Sequence, residues 1–201
     1  MTGSSPASAL ERRFLGLIAK NPYNRVLIER LPQLALPDVW LVSGCLFQTA
    51  WNVIDGEAPT RGIRDYDIFY FDPDLSWEAE DRCIKRAGEL FADLGIEIEL
   101  RNQARVHLWY QRKFGSACPQ FHSACEGIDN FLNTFSMVGV QPAHQGLRLY
   151  APLGLADVFD RVMRPNPRRH GGAGRERYEE KAKRWQALWP SLKVLPWDAA
   201  A

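Results

Sequence analysis

The chain has 201 residues, of which 46% are hydrophobic and 24% are charged, and its formal net charge is +1. This length suits one domain, or one domain with appendages, and the apolar content is enough for a buried core, which excludes a chain that is disordered throughout. A net charge near zero excludes a uniformly basic nucleic-acid binder, but it allows two patches of opposite charge that cancel.

The sequence carries no pattern for membrane insertion or export. It lacks a run of about 18 apolar residues, and its first residues lack the basic and apolar regions of a signal peptide. The four cysteines are irregularly spaced, which does not suggest a disulfide scaffold. We therefore expect a cytoplasmic protein with reduced thiols and no membrane partner.

Two helices are predicted before the first strand. Ser8 opens a capping-box pattern ahead of an apolar stripe, and the Asn-Pro pair at 21–22 is expected to end that helix. Residues 39–42 are an apolar run long enough only for a buried strand, and Ser43-Gly44 breaks it. Further helices are predicted at 23–31, 45–54, 76–94, 123–134, 152–164 and 175–188.

Residues 65–71 form the clearest predicted strand because their side chains alternate in character. Asp65, Asp67 and two phenylalanines share one face, while two tyrosines and an isoleucine share the other. Other strands are predicted at 96–100, 106–110, 137–140 and 148–150, and the segment 165–174, rich in Pro, Gly and Arg, is predicted to be a flexible loop. This order of elements favours an α+β or α/β fold.

Asp65 and Asp67 form the most informative pair in the sequence. On a strand their carboxylates point to one side, about 7 Å apart along the chain. Two anions on one face repel each other, and a divalent cation such as Mg²⁺ relieves that repulsion. Two solvated aspartates at an exposed strand end are the alternative. Glu97 and Glu99 have the same period, so a neighbouring strand could supply a third carboxylate.

A phosphate-binding position is predicted upstream of these carboxylates. The strand at 39–42 runs into Ser43-Gly44 and then into a helix. Small residues at a helix N-terminus allow backbone N–H groups to approach phosphate closely. The sequence therefore presents a phosphate cradle, a pair of aspartates and a third carboxylate, in that order.

This order of features resembles the nucleotidyltransferase superfamily. The resemblance rests on LVSGCLFQTAWN at 41–52 and on RDYDIFYFD at 64–72. Three further strings resemble a bacterial family of predicted nucleotidyltransferases, and the resemblance extends over most of the chain, from about residue 25 to 197. These strings are NQARVHLWY at 102–110, YAPLG at 150–154 and RPNP at 164–167.

The resemblance implies an α+β fold in which a small mixed sheet is flanked by helices. It implies a nucleotidyltransferase-like core at 38–150, an N-terminal helical segment at 1–37 and a C-terminal helical segment at 151–201. It also implies two Mg²⁺ ions, with Mn²⁺ as the alternative, held by Asp65, Asp67 and Glu99.

The chemistry implied by the resemblance is attack of an acceptor hydroxyl on the α-phosphorus of a nucleoside triphosphate. Ser43, Gly44 and Cys45 would bind the nucleotide. The superfamily signature is Gly-Gly or Gly-Ser, so this chain departs from it. The acceptor is left open, and no sequence feature indicates a nucleic acid.

Four residues after the third carboxylate are candidates for orienting substrate or supporting the carboxylates. They are Asn102, Gln103, Arg105 and His107. The alternative is that the first two only form a turn and that the arginine pairs with nearby carboxylates.

Counted by segment, the near-zero net charge is a cancellation. Residues 65–99 contain eleven acidic and three basic residues, whereas residues 161–184 contain nine basic and three acidic residues. We expect the arginines at 164–175 to contact substrate and the basic residues at 181–184 to lie on a solvated helix face. Most of the seven tryptophans are spaced as core or helix-anchoring residues, and the sequence makes no case for a base-stacking platform.

Three functions remain open at this point. The first is a magnesium-dependent nucleotidyltransferase, which an intact set of three carboxylates favours. The second is a catalytically silent nucleotide-binding module of the same fold, which the irregular Ser43-Gly44-Cys45 sequence favours. The third is a hydrolase or metal-binding protein unrelated to nucleotides.

Overall fold

A computed structural model describes residues 8–169 and 174–200 of the chain. Eight α-helices and seven strands are found within these residues. The helices are α1 (Ala9–Ile18), α2 (Pro22–Arg30), α3 (Gly44–Ile54), α4 (Trp77–Leu90), α5 (Val106–Phe114), α6 (Ala124–Asp129), α7 (Ala156–Phe159) and α8 (Arg175–Leu188). The strands are β1 (Trp40–Val42), β2 (Asp65–Tyr70), β3 (Glu97–Asn102), β4 (Gly139–Pro142), β5 (Leu147–Tyr150), β6 (Val162–Met163) and β7 (Lys193–Val194).

The main sheet has five strands in the order β3-β2-β1-β4-β5. Strands β2 and β3 are parallel and α4 connects them, whereas the other neighbouring strands are antiparallel. Strands β6 and β7 form a separate parallel pair. The structure thus confirms the expected α+β fold with a mixed sheet and flanking helices. The proposed division at residues 37 and 150 stays a prediction.

One face of the main sheet is covered by the largest apolar cluster of the molecule. The inward residues of β2 are Tyr66, Ile68 and Tyr70, and each is at most 3% exposed. They pack in one cluster with side chains of α1, α3 and α8, such as Phe14 and Trp51. Burying large apolar side chains in this way is the main favourable contribution to folding.

A buried polar network fixes α2 and α3 to this face. The Asn21 amide nitrogen donates to the Thr49 hydroxyl at 3.0 Å and to the Tyr66 hydroxyl at 3.3 Å. The Asn24 amide nitrogen also donates to Thr49, at 3.3 Å. Because Tyr66 lies between the two aspartates of β2, the network holds the strand directly beneath the candidate site.

The other face is only half covered by apolar residues. Trp40 and Val42 of β1 pack against Ala124 and Ile128 of α6 in a second, smaller cluster. That cluster covers the β1, β4 and β5 side of the sheet. The β2 and β3 side of the same face carries charged residues, among them Asp65, Asp67 and Glu99.

The prediction of a strand at 106–110 is wrong, because these residues lie in helix α5. Asn102 caps a 3₁₀ turn that leads directly into the helix. Val106 and Tyr110 are buried one helical turn apart, while Leu108 between them is 54% exposed. Over five residues this pattern fits a helix as well as an alternating strand, which explains the error.

Two predicted helices are shorter than expected. The helix predicted at 123–134 ends at Asp129, and the one predicted at 152–164 is reduced to α7, followed by β6. Part of the predicted flexible loop, residues 170–173, lies outside the described residues. No helix among the described residues is long and apolar enough to cross a membrane.

Candidate functional site

Strands β2 and β3 bring the predicted carboxylates to one face of the sheet. Asp65 and Asp67 occupy alternate positions of β2. The parallel register places Glu99 opposite Asp67 and Glu97 opposite Asp65. Paired residues of neighbouring strands present their side chains on the same face. The expectation that a glutamate-bearing strand lies beside the aspartate strand is therefore confirmed.

The ionisation of Asp67 is strongly perturbed by its surroundings. Burial raises its pKa to about 7, and repulsion from Asp65 and Glu99 adds to the effect. The positive charges of Lys181 and Arg101 oppose this rise in pKa. The ionised form of Asp67 is thus poorly compensated near neutral pH, and a bound cation would stabilise it.

The carboxylates of Asp65 and Asp67 are available to a ligand. Neither accepts a hydrogen bond within residues 8–169 and 174–200. Ionised carboxylate oxygens are the donors that Mg²⁺ prefers, so the chemistry of this pair fits the ion. In the same residues, no three His, Cys, Asp or Glu side chains are already arranged around a common metal position.

Glu99 is held beside the two aspartates by Arg101. The Arg101 Nη2 donates to the Glu99 Oε1 at 2.8 Å, and both side chains are 34% exposed. The Glu99 Oε2 takes no part in this hydrogen bond. Glu99 can therefore offer one oxygen to a cation while the arginine compensates part of its charge.

The junction between β1 and α3 lies next to the aspartates. Val42 pairs with Asp67 across the antiparallel register, so the chain turns into α3 beside the start of β2. The first amides of a helix lack partners within that helix. Those of Gly44 and Cys45 have no acceptor among the described residues, whereas the next two amides donate to the Ser43 carbonyl at 2.9 and 3.2 Å.

Ser43 and Cys45 contribute to this junction in different ways. Ser43 has φ +57° and ψ −113°, a backbone conformation that glycine adopts readily and other residues rarely adopt. The Cys45 side chain is fully buried, and burial together with Asp67 and Asp65 raises the pKa of its thiol. Only the backbone of Cys45 can therefore face a ligand.

Gln48, which the sequence analysis did not single out, lies one helical turn after Gly44. It is 3% exposed, and its Oε1 is buried without a partner in the described part of the chain. Its Nε2 lies 3.0 Å from the position that a Cβ at Gly44 would occupy. A side chain at residue 44 would press on this amide, so glycine keeps the space in front of it open.

Helix α8 places positive charge against the carboxylates. Burial and Arg184 lower the pKa of Lys181, whereas Asp67 and Asp65 raise it. Burial and Arg64 lower the pKa of Arg184, whereas Asp65 raises it. The prediction of a solvated helix face at 181–184 is thus wrong for Lys181 and Arg184, which belong to the electrostatic surroundings of the site, whereas Lys183 is exposed as predicted.

Two of the arginines that are expected to contact substrate form ion pairs within the protein, and their contact with substrate stays a prediction. Arg164 pairs with Asp157 at 3.1 Å, and Arg168 pairs with Asp129. The sequence could not show which basic residues, those at 164–175 or those at 181–184, lie near the aspartates. Their proximity to β2 depends on how α8 packs. The amphipathic spacing of α8, with Tyr178, Ala182 and Trp185 buried, was the available signal.

Asn102 and Gln103 shape the backbone beside the site. The Asn102 side chain accepts from the amides of Asp72 and Ala104 and donates to the Asp72 carbonyl at 2.9 Å. It thereby fixes the loop that follows β2. Gln103 packs against Gly127, where any larger side chain would collide with its amide.

Arg105 lies in the turn that follows β3, and His107 lies in the first turn of α5. Arg105 forms an ion pair with Glu80, which is 3% exposed and also accepts from the Asn102 amide at 2.9 Å. This pairing matches the structural alternative weighed for Arg105. The Nδ1 of His107 is buried without a partner among the described residues.

The arrangement agrees with what comparison with known structures finds. A structure determined by NMR and described as a CCA-adding enzyme head domain superposes with a TM-score of 0.75. The match covers 91% of this chain and 94% of that chain at 24% sequence identity. The chain therefore has the same fold as that head domain.

The sequence comparison identifies the family more directly. A family model described as nucleotidyltransferase matches residues 29–194. The match spans most of the chain, so the chain belongs to this nucleotidyltransferase family. A search of curated protein sequences gave no match.

Proposed function

We propose that the protein transfers a nucleotidyl group from a nucleoside triphosphate to an acceptor hydroxyl, with Mg²⁺ as the cofactor. Membership of the family supports nucleotidyl transfer in general. The observation that carries the magnesium-dependent reaction is the pair of aspartates on β2. Asp65 and Asp67 share one face, accept no hydrogen bond from the described residues and lie beside a third carboxylate.

Asp65, Asp67 and Glu99 would hold the metal. Bound Mg²⁺ would supply positive charge for the acceptor oxygen and for the leaving pyrophosphate. A cation would offset the burial and the repulsion from Asp65 and Glu99 that raise the pKa of Asp67 to about 7. Arg101 keeps Glu99 in place beside the two aspartates.

The chain's own donors would bind the polyphosphate. The amides of Gly44 and Cys45 open α3 without acceptors, and the positive end of the helix dipole adds to their attraction for an anion. The Gln48 Nε2 lies beside the same opening. Lys181 and Arg184 supply positive charge from α8. These groups would orient the triphosphate and stabilise the charge that builds up during transfer.

The test combines binding and turnover. The protein is incubated with each of four labelled triphosphates, Mg²⁺ and pools of hydroxyl acceptors, and pyrophosphate release is measured. We expect release with the native chain and a loss of about a hundred-fold or more in the variant D65N/D67N, because the charges that bind the metal are gone.

Calorimetry provides the matched measurement on the same variant. We expect D65N/D67N to remain folded by circular dichroism and to lose Mg²⁺ binding. A variant at an exposed aspartate away from the site, D160N, serves as the control and should bind Mg²⁺ as the native chain does. Unchanged Mg²⁺ affinity in D65N/D67N would contradict the proposed metal site.

A silent nucleotide-binding module is the second candidate, and the Glu99–Arg101 ion pair favours it. If the arginine keeps Glu99 from the metal, a triphosphate could bind without being transferred. Thermal shift distinguishes these two functions from each other and from a site unrelated to nucleotides. In the last case, no triphosphate would stabilise the protein. Stabilisation by a triphosphate only with Mg²⁺ supports the catalytic site, whereas equal stabilisation without Mg²⁺ supports the silent module.

A further inference from the structure

A second concave surface adjoins the candidate site. It is a cleft of about 580 Å³ between α4 and α5, which is within the usual volume range of ligand sites. Its lining residues are Trp77, Glu80, Arg101, Arg105, Leu108, Trp109, Arg112 and Lys113. Arg101 joins the two places, because it lines the cleft and also donates to Glu99. A ligand in this cleft would therefore end close to the carboxylates.

The cleft contains tryptophan side chains that the core does not use. Five of the seven tryptophans are buried. Trp77, in contrast, is 59% exposed at the start of α4, and Trp109 of α5 is half-buried. The expectation that most tryptophans serve as core or helix anchors is thus confirmed, and Trp77 is an exception. An indole exposed to this extent in a cleft is available to stack against a planar ligand.

One face of the Trp77 ring packs against an ordered side chain. The Arg105 guanidinium lies over it, 5.4 Å from the ring centroid. Arg105 is itself fixed by its ion pair with buried Glu80, and its Nε donates to the Leu75 carbonyl at 3.0 Å. The Trp77 indole is thus supported by an ordered guanidinium. A ligand that stacks on the indole therefore loses little conformational entropy of the protein.

The cleft is also positively charged. It contains four basic side chains and one acidic one, and the acidic one is already paired with Arg105. Arg112 and Lys113 are exposed and form no ion pair within the described residues. The Lys113 ammonium lies 5.5 Å from the centroid of the Trp109 ring. Two unpaired cations therefore lie next to an aromatic surface.

We infer that this cleft binds the end of a single-stranded nucleic acid, which serves as the acceptor of the nucleotidyl group. Bases would stack on Trp77 and Trp109, while Arg112 and Lys113 would contact backbone phosphates. Exposed aromatic rings interleaved with unpaired cations are the combination that binds single strands without reading their sequence. The acceptor role rests on the proposed function, whereas the binding itself does not.

Other ligands match the cleft less well. A polyphosphate would use the cations but leave the indole of Trp77 and the exposed Leu108 uncovered. An apolar peptide would cover these side chains but would bury the charges of Arg112 and Lys113 without partners. A duplex offers no open bases for stacking.

The test measures the anisotropy of a labelled single-stranded RNA of mixed sequence with the full chain, without triphosphate or divalent cation. We expect W77A to bind about ten-fold more weakly, because a stacking surface is lost, and W77F to stay within about two-fold of the native chain. We expect R112Q/K113Q to bind more weakly and its dependence of log K on log salt to flatten by about 1.4, as expected for two lost phosphate contacts.

Controls separate this proposal from the proposed function. K20Q/K193Q removes two exposed lysines elsewhere and should bind RNA as the native chain does. D65N/D67N should retain RNA binding even if transfer is lost, and W77A should keep the thermal shift produced by triphosphate and Mg²⁺. If no transfer is found but W77A weakens RNA binding, the cleft stands and the acceptor role does not.

Several results would overturn the assignment of the cleft. Equal RNA affinity in W77A and the native chain would exclude stacking. If duplex RNA or inorganic polyphosphate displaced the labelled RNA as well as unlabelled single-stranded RNA does, the cleft would bind by charge alone. A parallel loss of triphosphate binding in W77A would show that the cleft holds the donor nucleotide rather than the acceptor.

Discussion

The two faces of strand β2 differ in how completely their polar groups are satisfied. On one face, Tyr66 is 3% exposed, and its hydroxyl accepts a hydrogen bond from Asn21. On the other face, the neighbouring Asp65 and Asp67 accept none from the described residues, and the pKa of Asp67 is raised to about 7. Tyr66 thus stabilises the fold, whereas its neighbours Asp65 and Asp67 leave their carboxylates open to a ligand.

This difference shows where the fold gains stability and where it gives some up. The apolar face is packed and its polar groups are paired, so it can hold the strand firmly. The charged face keeps like charges together, which costs stability unless a cation binds. The rigidity of the first face is what allows the second to remain uncompensated and available to ligands.

The largest expected effect comes from breaking the apolar face. Trp51 is fully buried, its rings pack on Phe47, Phe135 and Trp189, and its indole nitrogen donates to the Val158 carbonyl at 2.7 Å. We expect W51A to lower the free energy of unfolding by about 3–5 kcal/mol, because it leaves a large cavity and an unpaired carbonyl. Denaturant unfolding measures this change.

A second tryptophan provides the matched control for W51A. Trp77 is largely exposed, so W77A should lower the free energy of unfolding by less than about 1 kcal/mol. Similar losses in both variants would contradict the contrast between packed and ligand-accessible tryptophans.

The charged face should respond in the opposite direction. In the presence of a chelator, D67N removes a carboxylate whose folded pKa, about 7, lies above its unfolded value. Ionised Asp67 destabilises the folded state, and this penalty grows as the pH rises from about 4 to about 7 and is then constant. We expect D67N to raise the free energy of unfolding by about 2 kcal/mol at pH 8 and by little at pH 4. The value at pH 8 is smaller than the pKa shift alone would give, because the Asp67 side chain is partly exposed.

The pH profile decides the cause of that gain. Unfolding free energies of the native chain, D67N and D160N are compared at intervals from pH 4 to pH 8. D160N changes an exposed aspartate, so its free energy of unfolding should stay within about 0.5 kcal/mol of that of the native chain at each pH. A gain in D67N that is the same at both ends of the range would point to packing instead of charge.

The contrast between the two faces could be predicted from the sequence because it rests on local alternation. A period of two along 65–71 assigns Asp65 and Asp67 to one side, and it needs no knowledge of distant residues. The position of Glu99 followed from one further assumption, that its strand lies beside the first. Both expectations concern regular strands, where sequence spacing and geometry are tightly linked.

The parts that escaped prediction depend on packing over long distances in the chain. Lys181 lies close enough to Asp67 to lower its pKa because α8 packs back onto the core, and spacing alone cannot show this. The exposure of Trp77 likewise depends on where α5 lies, and α5 was itself mistaken for a strand. Gln48 was missed because an amide in an apolar helix carries no motif, although Gly44 one turn earlier was recognised.

The smallest expected effect concerns the backbone that leads from the packed face to the charged one. Ser43 precedes α3 with φ +57° and makes no side-chain cap, whereas Ser76 precedes α4 with φ −67° and accepts from the Ala79 amide. Strain at Ser43 costs about 1–3 kcal/mol, and glycine would relieve it while adding less than about 1 kcal/mol of unfolded-chain entropy. We therefore expect S43G to be more stable by about 1 kcal/mol and S76G to be slightly less stable, measured by denaturant unfolding. A loss of stability in S43G would mean that the serine side chain contributes more to this junction than its backbone conformation costs.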